Sequence, residues 1–344
     1  MSSIGDIIHT FPAVMDAKRY IKDIKIDWLV DENFVDIVKL QQYNNNNIIE
    51  NIISIPLRKT KKNLLFEIIK FKFKDILNQL NTEHYDLVID AQGLLKSAII
   101  AKLVNTKKIV GFNSNSCREP LASFFYHYRI QVDKNLHAIL RTRQLFAKSL
   151  NYNFQDIDYG LERKQFPKLA ELASSNIDKY IVFLHGTTWE TKHWKLEYWQ
   201  KLSLLIANKN ISIVIMISNL KEQQFAEQLL ANNHSIIILS KLSVWQIGPI
   251  LANAIAVVAV DTGFAHLSGA IGVPVVGIYG ATSIVKSGVM GAKSVNLQSQ
   301  YHCSPCLSRI CLEYKNKHSK IKQPCLQEIT PEIVFSKLEE IIYS

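Results

Sequence analysis

The sequence predicts two consecutive α/β domains, each built on a parallel sheet. Short apolar runs of β type alternate with amphipathic helical stretches along the whole chain, the pattern of strand–helix–strand units. At 344 residues the chain is also longer than one hydrophobic core usually supports. A stretch without apolar periodicity, residues 151–166, is closed by Pro167 and separates two such series. We therefore expect an N-terminal domain over residues 1–160, a C-terminal domain over residues 167–328 and a last helix, 329–344, that packs back on the N-terminal domain.

Apolar runs mark the expected strands, and the stretches between them mark the helices. The last helix is expected to start at Pro331, with Thr330 as its cap. The other expected helices cover residues 7–21, 94–104, 196–208, 244–252 and a stretch after Lys221. The expected strands lie in KIDWLV, IIENIISIP, YDLVIDAQG, KKIVGFN, KYIVFLHGTT, SIVIMIS, SIIILS, AIAVVAVDTG and VPVVGIYG. Ligands of such sheets bind beyond the carboxyl ends of the strands, so functional residues are expected in the loops that follow them.

Composition narrows the function classes. Lys and Arg outnumber Asp and Glu by 40 to 30, and the net charge of +10 favours an anionic partner: a phosphorylated small molecule, a nucleic acid or an acidic membrane surface. Apolar runs fall far short of the roughly 20 residues of a membrane span, and the N-terminus lacks signal-peptide features. A cytosolic protein, at most peripheral to a membrane, is expected. Five cysteines, four of them between Cys303 and Cys325, do not fit a disulfide framework and indicate reduced thiols or a metal site.

The loop after KYIVFLHGTT is the first candidate for phosphate binding. No P-loop or G-x-G-x-x-G element follows any strand of this sequence, so phosphate contacts must be built differently. Thr187 and Thr188 end this segment, and Lys192 follows four residues after the second threonine. Hydroxyl donors and a cation suit a diphosphate. Taken alone, a threonine pair after a strand is more often a turn or a helix cap.

A second motif, VVAVDTGFAHLSGA, delivers polar residues to the start of a helix. Asp261, Thr262 and Gly263 follow the strand, and His266 lies in the first turns of the helix. A helix N-terminus offers free N–H groups to an anion. Asp261 can also be a helix cap and His266 a core histidine. The small residues around them keep the first turns open, which favours a nucleotide-sugar pocket.

Asp6 lies where the first helix is expected to begin. An acidic residue there commonly caps the helix or interacts with its dipole. It can also act as a general base that takes a proton from an attacking sugar hydroxyl, with Gly5 allowing close approach of the acceptor. The residue types alone leave both interpretations open.

Together, seven segments resemble the heptosyltransferase I branch of glycosyltransferase family nine, over nearly the whole chain. They are SSIGDIIHTFPAVMDA, IDWLVDENF, YDLVIDAQGLLKSA, REPLASFFY, HAILRTRQLFAKSL, FLHGTTWETKHW and VDTGFAHLSGA. The resemblance implies a GT-B fold, two Rossmann-like domains with parallel sheets facing across a cleft. It also implies an inverting cytoplasmic enzyme, peripheral to the inner membrane, that acts in lipopolysaccharide biosynthesis. Such an enzyme moves L-glycero-D-manno-heptose from ADP-heptose to Kdo of Kdo2-lipid A, without a metal or cofactor and without nucleic acid as a partner.

The resemblance also assigns roles to particular residues. Asp6 is the expected catalytic base. The expected acceptor-binding cations are Arg58, Lys59, Arg118 and Arg141. The expected donor-binding residues are Thr187, Thr188, Lys192, Thr262 and Gly263 at the diphosphate and nucleotide, Asp261 and His266 nearer the heptose, Leu242 beside the adenine and Glu222 at the ribose. The stretch LLFEIIKFKFKDIL is either a core-facing helix or a segment that lies on an anionic membrane surface.

The chain departs from the family pattern in three places. An apolar strand usually precedes S-S-x-G-D, so the first strand of the N-terminal sheet is expected to be missing. Met216, Ile217 and Ser218 replace the usual P-W-G. The cysteines at 303, 306, 311 and 325 resemble a segment of heptosyltransferase II enzymes. Alternatives therefore remain: a family-nine enzyme with another acceptor, heptosyltransferase II-like, a nucleotide-sugar-binding protein without catalysis, or a zinc-dependent module.

Overall fold

The structure, a computed structural model, describes residues 3–42, 48–56, 78, 80–168 and 179–343. It divides into two compact units, residues 1–160 and 161–344. The division falls inside the segment 151–166 that was expected to link the domains. Among the described residues, no helix is long and apolar enough to cross a membrane.

The described strands of the first unit form two parallel sheets. One sheet pairs two strands, and the other has three strands in sequence order. The strands are β1 (Trp28–Asp31), β2 (Ile52–Ile55), β3 (Val88–Asp90), β4 (Ile109–Phe112) and β5 (Tyr128–Ile130). The first four lie in predicted segments. Strand β5 was not predicted, because two of its three residues are exposed and it lacks a buried apolar run.

The described helices of the first unit are α1 (Ile4–Tyr20), α2 (Val35–Lys39), α3 (Leu95–Lys102) and α4 (Ala138–Leu150), with 3₁₀ turns at Glu32–Phe34, Leu40–Gln42 and Pro120–Phe125. Ser3 caps α1: its hydroxyl accepts a hydrogen bond from the Asp6 amide at 3.1 Å. Helix α4 ends at Asn151 in the left-handed conformation (φ 57°). Helices α1 and α4 pack along each other.

The second unit contains one six-stranded parallel sheet with the order β11-β10-β9-β6-β7-β8. The strands β6, β9 and β10 are buried along their whole length, as expected for a sheet covered on both faces. The six strands are β6 (Tyr180–Leu184), β7 (Ser212–Ile217), β8 (Ile236–Ser240), β9 (Ala256–Val260), β10 (Val275–Tyr279) and β11 (Ser294–Gln298). This is the doubly wound order, and it confirms the prediction of an α/β fold with parallel sheets.

Within the described part of the second unit, the helices are α5 (Leu196–Ala207), α6 (Leu220–Leu230), α7 (Val244–Asn253), α8 (Gly263–Ile271), α9 (Ile284–Ser287), α10 (Leu312–Lys315) and α11 (Pro331–Tyr343), with 3₁₀ turns at Arg163–Gln165, Glu190–Lys192 and Pro324–Gln327. Thr330 caps α11, since its hydroxyl accepts from the Ile333 amide at 3.4 Å. The buried side chains of α11, Val334, Leu338 and Ile341, belong to the core of the second unit. This face packs on α5 and the strands β9 to β11. The packing of the last helix on the N-terminal domain stays a prediction.

Candidate active site

The residues predicted to bind the sugar donor lie where the strand order of the second sheet reverses. Strands β6 and β9 are neighbours, and the chain winds outward from them in opposite directions. Crevices at such switch points bind nucleotides in doubly wound sheets. Thr187 and Thr188 follow β6, and Asp261 to Gly263 follow β9, so the topology brings the two predicted motifs together.

The Asp261 carboxylate is the centre of this cluster. Its Oδ2 is 2.7 Å from Lys192 Nζ and accepts a hydrogen bond from the Thr282 hydroxyl at 2.7 Å. His266 Nε2 lies 3.6 Å from Oδ1, and both residues are buried. Burial opposes ionisation of Asp261, but the hydrogen bond of His266 and the charge of Lys192 outweigh it and hold the pKa of the carboxyl well below its usual value. Asp261 is therefore a buried anion that fixes the Lys192 ammonium.

A side-chain to main-chain hydrogen bond also joins the two loops. The Thr187 hydroxyl donates to the carbonyl of Asp261 at 3.2 Å. Thr262 is the N-cap residue of α8, yet its side chain makes no capping hydrogen bond. The Thr262 side chain therefore does not occupy the N–H groups of the first turn of α8, and these groups can face an anion. Thr188 is exposed at the end of the opposite loop.

Glu222, in the first turn of α6, reaches the loop after β6. Its Oε2 accepts from the Ser218 amide at 2.7 Å and from the Ser218 hydroxyl at 2.8 Å. A Cβ on Gly186 would lie 2.8 Å from Oε1, so the absence of a side chain there is what lets the carboxylate approach. Ser218 thus holds Glu222 although the usual P-W-G is absent. Leu242 lies half-buried just beyond β8.

Four residues of this region were missed by the sequence analysis. Thr282 follows β10, a position that the strand-end rule points to. Trp189 lies in the sequence between the predicted Thr188 and Lys192. Its ring centre is 4.5 Å from Lys192 Nζ and 5.2 Å from Arg309 Cζ. The ring of His185 stacks on Phe225 at 4.2 Å, and burial lowers its pKa to about 4, so it is neutral. For Arg309, far along the chain in the cysteine-rich segment, the sequence carries no such signal.

In the first unit, Asp6 is paired with Arg118. Arg118 Nη2 donates to Oδ1 at 2.5 Å and Nη1 to Oδ2 at 3.3 Å, a two-point contact. Burial raises the pKa of Asp6, but the adjacent guanidinium outweighs it, so the pKa of this carboxyl lies below its ordinary value. Asp6 is therefore ionised at neutral pH. Its side chain is 15% exposed and that of Arg118 is 48% exposed.

A pocket surrounds this ion pair, and a second arginine lines it. Arg141 Nη2 donates to the carbonyl of Ser116 at 2.5 Å, and its guanidinium lies 5.1 Å above the ring of Phe112. The rest of the lining is His9, Ala91, Gln92, Ala138 and Thr142. The structure therefore brings together Asp6, Arg118 and Arg141. The predicted residues Arg58 and Lys59 and the stretch LLFEIIKFKFKDIL lie outside the described residues.

The cysteine-rich segment is described in full. Cys303, Cys306, Cys311 and Cys325 are free thiols, and burial raises the pKa of Cys325 to about 12. Within the described ranges, no group of three or more His, Cys, Asp and Glu side chains could hold a metal ion. The zinc-dependent alternative therefore has no described ligand set.

Comparisons with known proteins agree with this arrangement. The model of glycosyltransferase family 9 (heptosyltransferase) matches residues 74–317. Lipopolysaccharide heptosyltransferase 1 of Pseudomonas aeruginosa is 37% identical over 350 residues, which cover 99% of this chain and 96% of that protein. The Escherichia coli K12 protein of the same name is 37% identical over 284 residues, covering 82% and 86%.

Solved structures show the same likeness. The structure of E. coli heptosyltransferase WaaC with ADP has a TM-score of 0.81 at 32% identity, covering 99% of this chain and 98% of that one. The same enzyme with ADP-2-deoxy-2-fluoro heptose has a TM-score of 0.78, covering 99% and 97%. The likeness confirms the predicted GT-B fold class.

Proposed function

Because this chain belongs to glycosyltransferase family 9, the heptosyltransferases, we propose that it moves L-glycero-D-manno-heptose from ADP-heptose to the Kdo sugar of Kdo2-lipid A. The observation that carries the proposal is the Lys192–Asp261 cluster at the switch point of the second sheet. The relatives named heptosyltransferase 1 and the WaaC structures with ADP and a heptose analogue support the same donor.

On the donor side, the chain provides positive charge for a leaving diphosphate. The Lys192 ammonium is the cation, and the first turn of α8 adds N–H groups at the positive end of a helix dipole. The hydroxyls of Thr187 and Thr262 border the same crevice. Charge on the diphosphate grows as the sugar–oxygen bond breaks, so these groups stabilise the transition state more than the bound substrate. Glu222 and Leu242 are assigned to the ribose and the adenine.

On the acceptor side, Asp6 is the base. Inversion needs a single displacement, in which one carboxylate takes the proton of the attacking hydroxyl while the bond to the diphosphate breaks. Asp6 fits because it is ionised, lies beside the guanidinium of Arg118 and lines a pocket that Arg141 also lines. Arg118 and Arg141 suit an acceptor that carries a carboxylate and phosphates.

The acceptor lipid resides in a bilayer, so the proposal includes peripheral binding to the cytoplasmic face of the inner membrane. Support comes from the 3₁₀ turn Pro120–Phe125, which follows Arg118 closely in the sequence. Leu121 and Phe124 are 60% and 69% exposed on this turn. Residues three apart in a 3₁₀ helix lie above one another, so the two side chains form one apolar face. Arg129 Cζ lies 5.8 Å from the ring of Phe124 and adds charge for anionic lipid.

The proposal is tested by ADP release from ADP-heptose in the presence of Kdo2-lipid A. We expect turnover by the wild type and loss of at least a hundredfold in kcat for Asp6→Ala, the usual contribution of a general base being about 10²–10⁴-fold. Asp36→Ala, a change of a carboxylate in the same unit, is the matched control. Turnover only with an already heptosylated acceptor would indicate a heptosyltransferase II-like enzyme instead. Binding of ADP-heptose without turnover on either acceptor would indicate a nucleotide-sugar-binding protein without catalysis.

A further inference from the structure

The proposed base is already bound by a cation in this structure. Both carboxylate oxygens of Asp6 accept from Arg118, at 2.5 and 3.3 Å. A carboxylate held in this way is a weak base, because the guanidinium stabilises its charged form. When an acceptor hydroxyl enters the pocket, both carboxylate oxygens of Asp6 are already hydrogen-bonded to Arg118. Efficient proton transfer therefore calls for something that draws Arg118 away.

The second guanidinium of the pocket is short of a counter-ion. Arg141 forms no ion pair with any carboxylate in the part of the chain that the structure describes. Its Nη2 donates to a neutral carbonyl, that of Ser116, and its Nε is buried and has no hydrogen-bond partner among those residues. A half-buried guanidinium with an unused donor is costly to keep unless an anion completes it. Arg118 and Arg141 carry two positive charges against the one negative charge of Asp6, so one further anion would balance these three side chains.

We infer that the carboxylate of the acceptor sugar takes Arg118 over from Asp6, with Arg141 as its second anchor, so that the base is released only when an acceptor is in place. This inference rests on the proposed function and deepens its acceptor side. The exchange is feasible because Arg118 is half exposed, and ion pairs at such sites contribute little to stability. The charge that lowers the pKa of Asp6 moves away at the same time, which makes the carboxylate a stronger base.

The released Asp6 then serves one balanced step. The acceptor hydroxyl gives its proton to a carboxylate oxygen of Asp6, and its oxygen forms the new bond to the anomeric carbon of the donor. The bond from that carbon to the diphosphate oxygen breaks, and ADP leaves with the electron pair. The protonated Asp6 returns its proton to solvent after the product departs. The arrangement selects sugar acids, because a neutral ester or amide cannot draw Arg118 away.

The inference is tested by calorimetric binding of deacylated Kdo2-lipid A to the full chain. Asp6→Asn removes the competitor for Arg118 and is expected to tighten binding about three- to tenfold, the range of a partly exposed ion pair, while abolishing turnover. The methyl ester of the same probe is expected to gain nothing from Asp6→Asn. Arg118→Met and Arg141→Met are each expected to weaken binding of the acid at least tenfold, with thermal unfolding of each variant as the check that its first unit is folded.

A double variant separates exchange from simple repulsion between two carboxylates. In an Arg118→Met background, the gain from Asp6→Asn is expected to vanish, since Arg118, the arginine for which Asp6 and the acceptor compete, is absent. Persistence of the gain there, or an unchanged affinity for Asp6→Asn alone, would overturn the inference.

The same measurements distinguish this inference from the proposed function. A wild type that shows the coupling but releases no ADP from ADP-heptose refutes the transfer proposal and leaves carboxylate exchange standing. A wild type that transfers heptose without the coupling refutes the exchange alone.

Discussion

Lys192 is held in place before any donor binds. Its ammonium is 2.7 Å from the Asp261 carboxylate and 4.5 Å from the centre of the Trp189 ring. A cation fixed in this way needs little rearrangement when charge develops on the diphosphate. We expect Lys192→Met to lower kcat by about 10²–10³-fold, the usual effect of removing one such stabilising group, with a smaller change in KM for ADP-heptose.

Steady-state ADP release checks this expectation. Lys195→Met, in which a neighbouring lysine is changed in the same way, is the matched control and should keep its activity. Thermal unfolding of both variants shows whether the unpaired Asp261 carboxylate has destabilised the second unit. A kcat within threefold of the wild type for Lys192→Met would exclude this role.

Arg118 sets the pH at which the proposed base becomes protonated. The guanidinium holds the pKa of Asp6 below its ordinary value of 3.8, so the free enzyme keeps its base ionised to lower pH than a solvated aspartate would. The acid limb of kcat/KM reports the free enzyme. We expect Arg118→Met to move this limb to higher pH, since the burial that raises the pKa remains and the neutralising cation is gone.

The pH profile of Arg19→Met, another exposed arginine of the same unit, is expected to match that of the wild type. Because the carboxyl groups of the acceptor titrate equally in all three proteins, only the difference between profiles is interpreted. An unchanged acid limb in Arg118→Met would mean that another group controls it.

At the scale of elements, one buried ion pair joins the two helices that form the acceptor pocket. Arg143 of α4 donates to Asp16 of α1 at 2.6 and 3.0 Å, and both side chains are 1% exposed. Arg143 also donates to the carbonyls of Gln155 and Asp156. Removing one partner leaves an unpaired buried charge, so we expect Arg143→Met to lower the free energy of unfolding by about 3–5 kcal/mol.

Urea unfolding measures this loss, and hydrogen exchange of peptides from α1 shows whether it is local to the helix pair. The exposed pair Arg19–Asp158, at 2.9 Å in the same unit, is the control, and Arg19→Met should cost less than about 1 kcal/mol. Equal losses for the two variants would contradict the argument.

The sequence predicts elements better than it predicts the contacts between them. Apolar runs locate most strands, and the strand-end rule locates Asp261 and Thr187, because both depend on local patterns. The sequence does not predict strands β11 and β5, because neither is a continuous buried run. The pairs Asp6–Arg118 and Arg143–Asp16 join residues more than a hundred positions apart, and no local pattern encodes such a distance. Asp6 itself illustrates the limit, since an acidic residue at a helix start is more often a capping or helix-dipole residue than a base.

At the scale of the whole molecule, the net charge of +10 and the exposed apolar face of Leu121 and Phe124 lead to one prediction. The acceptor sugar must reach Asp6 while its lipid stays in the bilayer, so the surface that follows Arg118 in the sequence should meet the membrane. We expect the wild type to sediment with vesicles that contain anionic lipid, less so in high salt, and not with neutral vesicles. The double change Leu121→Ser/Phe124→Ser is expected to weaken this binding at least tenfold, because burying such a side chain is worth about 1.5–3 kcal/mol.

Leu220→Ser is the matched control, since Leu220 is 76% exposed but lies in the second unit at the start of α6. It should leave vesicle binding unchanged. Activity separates docking from chemistry: the double variant should lose turnover on vesicle-embedded Kdo2-lipid A and keep it on a deacylated, water-soluble acceptor. Equal losses on the two acceptors would place Leu121 and Phe124 in sugar recognition. Unchanged vesicle binding in the double variant would mean that another surface meets the membrane.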